Sequence, residues 1–423
     1  MIKYSYRKSN KEITGGELVR IGKFAESNNL TIDTVRHYMD LGLIIPEMQG
    51  GQYYFDDRCK SDLEDILNLK GMGFTLNEIK SIFIFRRLGN LTPYEQNQYY
   101  KTFFESKYKS IGEEIDNLKE IRNNLKIKIQ ELHNISIERK NKIGIDFRNL
   151  NMFKCLKCNG DLILSKGSVD SNQVIDGKLI CNCGLEYDID DGILIINHEP
   201  IDHGLKFDYK YIEEYISLTD IEYLDNVYKN LELMHKKIEF DNFKNKTILE
   251  LGSGNGFFLR HIYNELPDDS IYIAVDNDIG RHKFLKSMLE LIDSNKNIIF
   301  ICSDFTKIPI GNKSIDIIVD FSGSSNYGFS KEQFLLNEID NYIKESAWLI
   351  GSYIIFKNFG VNSKIDDKYR KSFILKNVKE KIKNLNYELI YEKVSEPLGK
   401  GGKYENYFVK GEEVYSYLYY GKR

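Results

Sequence analysis

The chain has 423 residues, more than one hydrophobic core usually serves, so its length predicts two to four domains. Its 59 basic and 63 acidic side chains give a formal net charge of -4, so any affinity for nucleic acid must come from a local surface and not from bulk charge. No apolar run is long enough to span a bilayer and no secretion signal is evident, which argues against a membrane partner and predicts a cytoplasmic protein.

Two short helices separated by a tight turn are predicted near the N terminus. Phe24 and Ala25 supply the apolar face of the first helix, and Val35 and Tyr38 supply that of the second. Thr31 is placed to cap the second helix. Two helices that cross at a tight turn suit docking in the major groove of DNA.

A turn and a pair of short strands follow within residues 41–55 and would form a wing, before an amphipathic helix and Gly73-Phe74. Residues 17–90 resemble the MerR family of winged helix-turn-helix transcriptional regulators. The matching positions are Ile21-Gly22, Ala25, Thr34-Val35-Arg36-His37-Tyr38, Gly42-Leu43, Pro46, Gly51, Gly73-Phe74, Leu76 and Ile79. The resemblance implies a domain that binds promoter DNA.

The DNA contacts that this resemblance implies are Arg20, Lys23, Arg36, His37, Tyr38, Tyr53 and Arg58. Each charged residue, taken alone, is equally consistent with a solvated surface. The family's wing usually has an arginine two residues after a glycine, whereas this chain has Tyr53 after Gly51. A tyrosine hydroxyl bonds a phosphate oxygen without the charge of a cation, so we expect weaker DNA affinity than is usual in the family.

A charged stretch at residues 94–140 carries an apolar seam with seven-residue spacing. The two rows of this seam are Ile111, Leu118, Leu125 and Leu132, and Ile115, Arg122 and Ile129. The heptad pattern predicts a coiled-coil helix, and the MerR resemblance implies that it pairs antiparallel with a second copy to form a homodimer. A lone amphipathic helix packed on its own chain is the alternative.

Four of the six cysteines cluster in the sequence. Cys155 and Cys158 form a Cys-x-x-Cys pair, and Cys181 and Cys183 form a Cys-x-Cys pair. Without a secretion signal, clustered thiols indicate metal more often than disulfides. Paired thiolates on two turns match a tetrahedral Zn²⁺ site, so the sequence predicts a small zinc ribbon at residues 151–198.

The predicted zinc is structural, since four thiolates leave no open position for water or substrate. Such a small segment does not fold by burial alone, so the metal would supply much of its folding free energy. The segment resembles the zinc ribbons that precede some methyltransferases, including certain ribosomal RNA guanine methyltransferases. Redox or metal sensing by the same thiols is the alternative.

A nucleotide-binding turn is predicted in the sequence Ile248-Leu249-Glu250-Leu251-Gly252-Ser253-Gly254-Asn255-Gly256. An apolar strand ends there, and a second apolar run with helical spacing begins. Glycine is needed where the backbone takes positive φ or approaches a ligand closely, and the N terminus of the next helix offers unpaired N–H groups. The spacing departs from the dinucleotide pattern G-x-G-x-x-G.

Three further apolar strands end on the acids Asp276, Asp304 and Asp320. Acids at successive strand ends converge on the edge where open parallel sheets bind ligands. Residues 204–423 thereby resemble the class I S-adenosylmethionine-dependent methyltransferases, which implies a Rossmann-like α/β domain. Asp276 would bind the ribose, and Asp304 and Phe305 the adenine. The implied cofactor-binding residues are Glu250, Gly252, Ser253, Gly254, Gly256, Asp276, Asn277, Asp304 and Phe305.

Tyrosines at helical spacing in residues 204–243 predict two helices that roof the active site. The polar and flexible segment 321–328 lies where the family's substrate faces the methyl group, so its candidate substrate contacts are Asp320, Ser324, Asn326 and Tyr327. It lacks the proline-rich motif of amino-methylating DNA enzymes and the Pro-Cys pair of cytosine C5 enzymes, so DNA bases are poor acceptors. No general base is evident, and the catalytic residues stay unknown.

The sequence thus predicts a multidomain regulator with a winged helix, a coiled-coil helix, a zinc ribbon and a methyltransferase domain. The last domain would bind S-adenosylmethionine and methylate a small molecule, or would sense a ligand, as an effector, without catalysis. An enzyme that modifies ribosomal RNA or another nucleic acid is the alternative, although the acidic charge and the absence of an arginine-rich groove argue against it.

Overall fold

The computed structural model describes residues 18–89, 92–133, 141–196, 207 and 209–423. Parts of the predicted domains lie outside the described residues, namely 17, 90, 134–140, 197–198, 204–206 and 208. The chain divides into two compact units, Met1–Ser136 and Ile137–Arg423. Across the described ranges, no helix combines the length and the apolar character that crossing a bilayer requires.

The N-terminal unit consists of short helices around a small antiparallel sheet of strand order β1-β3-β2, followed by one long helix. Its elements are β1 (Val19–Arg20), α1 (Ile21–Ser27), α2 (Ile32–Asp40), β2 (Glu47–Gln49), β3 (Gln52–Phe55), α3 (Asp57–Gly71), α4 (Leu76–Gly89) and α5 (Pro93–His133).

Local sequence explains the turn between α1 and α2. Asn29 takes a left-handed conformation with φ of 55°, which asparagine tolerates better than most residues. The Thr31 hydroxyl then accepts the backbone N–H of Thr34 at 3.1 Å, so the predicted cap of α2 is confirmed. Phe24 and Val35 are buried and join the two helices in one core.

A charged network holds α4 to α3 beneath this core. The buried Asp62 carboxylate receives Arg86 at 2.8 Å and Arg87 at 2.7 Å. Arg87 also donates to the carbonyl oxygens of Gly42 and Leu43, at 2.8 and 2.6 Å. A buried acid is stable only when it is paired and hydrogen-bonded, so this pairing fixes the turn after α2 as well as the two helices.

Helix α5 changes its surroundings along its length. Near its start, Phe104 packs edge-on against Phe74 at 5.5 Å, and Lys107 bridges to Glu78 at 3.0 Å. Farther along, Leu118 and Leu125 are 56% and 60% exposed. In the described chain, the first turns of α5 therefore belong to the core, and the apolar seam of the later turns faces solvent.

The C-terminal unit is an α/β structure. Its elements are β4 (Ile145–Asp146), β5 (Leu162–Asp170), β6 (Gln173–Cys181), β7 (Glu186–Asp190), β8 (Ile193–Ile195), α6 (Tyr209–Leu218), α7 (Ile221–Lys237), β9 (Thr247–Leu251), α8 (Phe257–Ile262), β10 (Ile271–Asp276), α9 (Ile279–Leu289), β11 (Ile298–Cys302), β12 (Ile315–Phe321), α10 (Gly323–Gly328), α11 (Leu335–Glu338), β13 (Ile343–Phe356), α12 (Leu375–Asn384), β14 (Glu388–Val394) and β15 (Val414–Lys422).

One sheet organises this unit, with the strand order β14-β15-β13-β12-β9-β10-β11-β8-β7-β6-β4 and with β5 paired to β6. Neighbouring strands from β13 to β8 are parallel, and β15 is antiparallel to both β13 and β14. The apolar runs predicted as strands form β9 to β13. The predicted Rossmann-like fold is confirmed.

Alternation along β9 assigns its side chains to the two faces of the sheet. Leu249 and Leu251 belong to one buried cluster, and Ile248 belongs to the other. Because successive residues of a strand point to opposite faces, Glu250 shares the face of Ile248. A carboxylate is therefore placed in an apolar layer at the end of the central strand.

The segment predicted as a zinc ribbon is hydrogen-bonded to this same sheet. Its strand β8 pairs parallel with β11 through Ile193 and Phe300, and β7 pairs with β8. The buried Lys286 of α9 bridges to Asp191 at 3.1 Å, between β7 and β8. The ribbon strands thus extend the larger fold and share its core.

The segment at residues 321–328, predicted to be flexible, instead contains the short helix α10. The carboxylate of Asp320 accepts the backbone N–H of Ser324 at 2.7 Å and so satisfies a donor in the first turn. Ser322, which precedes the helix, has a positive φ of 73°. The strand end is therefore held in a defined and strained turn.

Candidate functional site

The glycine turn after β9 has the backbone that its sequence predicts. Gly252, Gly254 and Gly256 all have positive φ, at 71°, 52° and 73°. A Cβ at position 256 would lie 2.1 Å from Leu285 Cδ1, so that glycine is also required by close packing on α9. The turn leads directly into α8.

Asp276, at the end of β10, holds this turn in place. One of its carboxylate oxygens accepts the Gly254 N–H at 2.9 Å, and the other accepts the Asp278 N–H at 3.0 Å. Asp276 is 5% exposed, and Asn277 beside it is half-buried. Each carboxylate oxygen has a second lone pair, so Asp276 keeps acceptor capacity for a ligand hydroxyl.

Glu250 is a buried acid with an unused oxygen. Its side chain is 2% exposed, and its Oε2 atom has no hydrogen-bond partner among the described residues. Burial raises the pKa of Glu250 to about 8; the Tyr272 hydroxyl opposes the rise and the charge of Asp276 adds to it. An unsatisfied carboxyl in such a place is costly unless a ligand completes it.

A cavity of about 430 Å³ lies beside the turn. This volume is in the range of small-molecule sites. Its floor includes Glu250, Gly252, Ser253, Gly254 and Asn255. The Ser253 Oγ and Asn255 Oδ1 atoms are buried and also lack partners within the described chain. Three residues that line one cavity therefore carry polar atoms without a partner in the described chain.

Tyrosines from α6 and α7, the helices that the sequence predicts to form a roof, also line the cavity. Tyr211 and Tyr215 of α6 and Tyr223 of α7 are buried and line it. Tyr228, at the same helical spacing, is 60% exposed and does not contribute to the cavity lining. The roof is thus aromatic on its inner side.

Sequence reasoning missed the segment between β14 and β15 that completes this roof. Glu405 accepts the hydroxyl of Tyr215 at 2.9 Å and that of Tyr223 at 3.0 Å. Tyr407 lies 3.0 Å from the Tyr223 hydroxyl, oxygen to oxygen, and Tyr404 also lines the cavity. The sequence does show an acid between tyrosines, in Tyr404-Glu405-Asn406-Tyr407. Nothing in the sequence indicates which part of the fold this segment contacts.

The residues predicted to bind adenine lie next to the turn. A Cβ at position 252 would lie 3.4 Å from Cζ of Phe305, so the Phe305 ring packs against the glycine turn. Asp304 is half-buried, and its Oδ1 accepts the N–H and the hydroxyl of Thr306 at 2.8 and 2.6 Å. Both residues lie outside the set that lines the cavity.

Of the predicted substrate contacts, the structure places only Asn326 on the cavity. Asp320 is completely buried and caps α10, and burial raises its pKa to about 6 against the opposing bonds from Ser324. Ser324 is 5% exposed, and Tyr327 is half-buried. The helix thus engages one oxygen of Asp320, and the Oδ2 atom has no hydrogen-bond partner among the described residues. The predicted substrate contact of Asp320 stays a prediction, at a residue outside the cavity lining.

Taken together, the turn and the floor fit S-adenosylmethionine. The positive-φ glycines allow close approach of a ligand to the backbone. The cofactor's ammonium group could donate to the unpartnered oxygens of Glu250 and Asn255, and its carboxylate could accept from the Ser253 hydroxyl. The acids at the ends of β10 and β11 lie on the same edge of the sheet, next to the turn. These hydrogen-bonding groups suit a ligand that combines a nucleoside with an amino acid.

The four clustered cysteines meet at one point in the C-terminal unit. All their sulfur atoms lie within 4.8 Å of one another, with Cys155 and Cys183 at 3.5 Å and Cys158 and Cys181 at 3.4 Å. Burial opposes ionisation of Cys155, but the N–H groups of nearby residues and the neighbouring thiols lower its pKa to about 6. Four converging thiol groups fit a tetrahedral Zn²⁺ ion.

The predicted DNA contacts are distributed over five elements of the N-terminal unit and are mostly exposed. Tyr53 of β3 is 39% exposed, and the exposed charged or ionisable contacts are Arg20, Lys23, Arg36, His37 and Arg58. Tyr38 is only 1% exposed, and Lys70 donates to its hydroxyl at 3.3 Å. Tyr38 is therefore a core residue, and its prediction as a DNA contact is wrong because the apolar face of α2 buries its ring.

Comparison with known proteins links both units to described families. Residues 19–83 match the family model described as MerR HTH family regulatory protein. Malonyl-[acyl-carrier protein] O-methyltransferase 2 of Ilyobacter polytropus is 31% identical over 113 residues, which are 27% of this chain and 39% of that protein. The chain therefore spans less than two thirds of the length of this curated relative.

Solved methyltransferases are among the similar structures. A SAM dependent methyltransferase from Aquifex aeolicus aligns at 19% identity and a TM-score of 0.30, covering 51% of this chain and 99% of that one. A SAM-dependent methyltransferase from Methanosarcina mazei aligns at 13% identity and a TM-score of 0.32, covering 45% of this chain and 96% of that one.

The raised pKa of Glu250 predicts a pH dependence of stability. The pKa rises from an ordinary 4.5 to about 8 in the folded chain, so the folded state keeps a proton that the unfolded state releases. The resulting stabilisation is complete below pH 4.5 and is lost as the pH rises through about 8. Between pH 4.5 and about 8, we expect the unfolding temperature of the wild type to fall, and that of Glu250→Gln to fall less.

Thermal unfolding of the ligand-free protein at a series of pH values measures this difference. Glu213→Gln is the matched control, since Glu213 is exposed on α6. Parallel curves for Glu250→Gln and the wild type would contradict the assignment of a buried, protonated Glu250.

Proposed function

We propose that this chain, which joins a MerR-type helix-turn-helix segment to a segment homologous to S-adenosylmethionine-dependent methyltransferases, is a DNA-binding regulator whose C-terminal unit methylates a small molecule. The observation that carries the enzyme half of the proposal is the turn of positive-φ glycines, with the unpartnered Glu250 oxygen beside a cavity of about 430 Å³. Bound S-adenosylmethionine would supply an electrophilic methyl group on its sulfonium.

In this proposal the chain's own residues bind and orient the cofactor. Glu250, Gly252, Ser253, Gly254 and Gly256 hold its amino-acid part, Asp276 and Asn277 hold the ribose, and Asp304 and Phe305 hold the adenine. The tyrosine roof excludes water from the reacting groups. Methyl transfer to a positioned acceptor needs little beyond orientation and desolvation, which agrees with the absence of an evident general base in the sequence.

The cavity favours a small acceptor over nucleic acid. Arg281 is the one cationic side chain among the described residues that line it, and Glu250 and Glu405 are its two acids. A nucleic-acid channel needs cations along the phosphate backbone. The tyrosine roof over a space of this size also suits a free molecule better than a base that is still attached to its polymer.

Promoter DNA is the proposed partner of the N-terminal unit, which would place the protein in the cytoplasm. Arg36 and His37 of α2 would enter the major groove, and Tyr53 of the β2–β3 hairpin would contact phosphate as a wing. Arg20, Lys23 and Arg58 would supply further backbone contacts. The exposure of all these side chains supports this role.

Cofactor binding is tested by calorimetric titration with S-adenosylmethionine and S-adenosylhomocysteine, with and without the DNA of its own promoter. We expect Gly254→Asp to weaken binding by about a hundredfold, or about 2.8 kcal/mol, since a new side chain at positive φ would crowd the turn beside Asp276 and its charge would repel the carboxylate of the cofactor's amino-acid part. Gly411→Asp is the control, because Gly411 also has positive φ and nothing lies near its Cβ position.

Equal affinities in Gly254→Asp and the wild type would refute the cofactor site. Tight binding of both ligands without turnover of any methyl acceptor would favour a ligand-sensing role over catalysis. A cofactor affinity that changes when DNA is added would demonstrate coupling between the two functions, which is reciprocal by thermodynamic necessity.

Helix α5 is the proposed dimer contact, formed with a second copy of the chain. Its seam residues Ile115, Leu118, Leu125 and Ile129 are between 46% and 60% exposed, which is costly for a row of aliphatic side chains unless a partner covers them. We expect Leu118→Asp to convert dimers to monomers in sedimentation, because it adds a charge to this seam.

Asn117→Asp is the matched control, since it adds the same charge one residue away from the seam. A wild-type protein that sediments as a monomer at all concentrations would exclude the coiled-coil dimer.

Structural zinc is the proposed ligand of Cys155, Cys158, Cys181 and Cys183. We expect the purified wild type to contain one zinc ion per chain, and Cys155→Ser to lose it and unfold at lower temperature, because the metal contributes folding free energy. Metal analysis by mass spectrometry measures the content. Cys59→Ser should keep its zinc, since Cys59 is a buried thiol of the other unit. Zinc-free wild-type protein would contradict the assignment.

A further inference from the structure

The cavity has a second polar centre, at Glu405, that the cofactor residues do not use. Both oxygens of Glu405 accept a tyrosine hydroxyl, from Tyr215 at 2.9 Å and from Tyr223 at 3.0 Å. Burial raises the pKa of Glu405, and the two hydroxyls and the charge of Arg281 oppose this rise. Glu405 is thus a partly buried carboxyl held in a fixed orientation at the cavity wall.

No ion pair within the described chain neutralises this carboxylate. In the described ranges, no lysine, arginine or histidine nitrogen lies within 4.0 Å of a Glu405 oxygen. Arg281, the cation of the cavity lining, instead has its Nε atom 3.6 Å from Asp278 and its guanidinium over the Phe207 ring at 5.7 Å. A buried carboxylate without a counter-ion favours a cationic ligand.

Aromatic rings surround the same part of the cavity. The rings of Tyr215 and Tyr404 lie 5.8 Å apart, the Tyr211 and Tyr404 rings 5.4 Å apart, and the Tyr215 and Phe257 rings 5.8 Å apart. All of these side chains line the cavity. The faces of aromatic rings attract cations through their quadrupole, most strongly where water is excluded.

We propose that the tyrosine-lined half of the cavity binds a protonated amine, with Glu405 as its counter-ion and the rings of Tyr211, Tyr215, Tyr404 and Phe257 around it. That this amine is the methyl acceptor rests on the proposed function, and it requires that the amine first release a proton, for which the Glu405 carboxylate is the acceptor, so that its nitrogen has a lone pair. The preference of the cavity for an amine rests on neither point. An anionic ligand in the same place would meet the like charge of Glu405, and a neutral alcohol would use only one hydrogen bond.

Three probes that share a phenylethyl group and differ in charge test the preference: 2-phenylethylamine, 2-phenylethanol and 3-phenylpropionate. Each is titrated into the full-length protein by calorimetry, with and without S-adenosylhomocysteine. We expect the amine to bind at least about tenfold more tightly than the alcohol, and the carboxylate to bind least, because a charged hydrogen-bonded pair contributes more than a neutral one.

The variant Glu405→Gln keeps the shape of the side chain and removes its charge. We expect it to weaken amine binding by about tenfold to a hundredfold and to leave alcohol binding nearly unchanged. Glu214→Gln is the matched control, since Glu214 also accepts a tyrosine hydroxyl, that of Tyr404 at 2.9 Å, but is exposed and does not line the cavity.

The selectivity of the wild type decides the matter even if Glu405→Gln fails to fold. Carboxylate binding equal to or tighter than amine binding, no binding of the amine, or full amine affinity in folded Glu405→Gln would each overturn the inference. Failure of S-adenosylhomocysteine to bind would instead overturn the proposed function. A preference for the amine over the other two probes would still support the amine site in that case.

Discussion

The hydrogen bond from the Gly254 N–H to the buried carboxylate of Asp276 is the constraint on which the C-terminal site depends. It ties the turn after β9 to the end of β10, and the N–H groups of Gly252 and Ser253 add two bonds to the carbonyl of Val275, at 2.9 and 3.1 Å. Because β9 and β10 are parallel neighbours, both ends lie at one edge of the sheet. The turn is thereby fixed before any ligand binds, which lowers the entropic cost of binding.

The same edge brings together acids with different environments. Each Asp276 oxygen accepts a backbone N–H, one Asp320 oxygen accepts a backbone N–H of α10, and Glu250, which lines the cavity, has an Oε2 atom without a partner among the described residues. Glu405 reaches the opposite wall from a connection between two antiparallel strands. Acids that look alike in sequence thus divide into structural ones and ligand-facing ones according to which backbone N–H groups lie near them.

The cysteine segment gains a second source of order from the sheet. A free-standing ribbon of this size would depend on metal alone, whereas β8 is hydrogen-bonded to β11, and Lys286 bridges α9 to Asp191. The cysteine cluster and the glycine turn are therefore parts of one sheet, in which we expect loss of order at the thiols to affect β11, the strand that leads to Asp304.

The sequence by itself determined those features that depend on short-range chemistry. Apolar runs and positive-φ glycines specified β9 to β13 and the turn, the Thr31 cap specified the start of α2, and the heptad seam specified one long helix, because each depends on residues within a few positions of one another. The Cys-x-x-Cys motif of Cys155 and Cys158 and the Cys-x-Cys motif of Cys181 and Cys183 were recognisable in the sequence for the same reason.

Tertiary structure alone decided what depends on distant partners. It buried Tyr38, whose ring packs in the core of the N-terminal unit, and Asp320, one oxygen of which accepts a backbone N–H of α10. It also brought Glu405 to Tyr215 and Tyr223, which lie more than 180 residues away in the chain. No local pattern records such a contact, because the order of strands in the sheet, and not their order in the sequence, sets which loops meet.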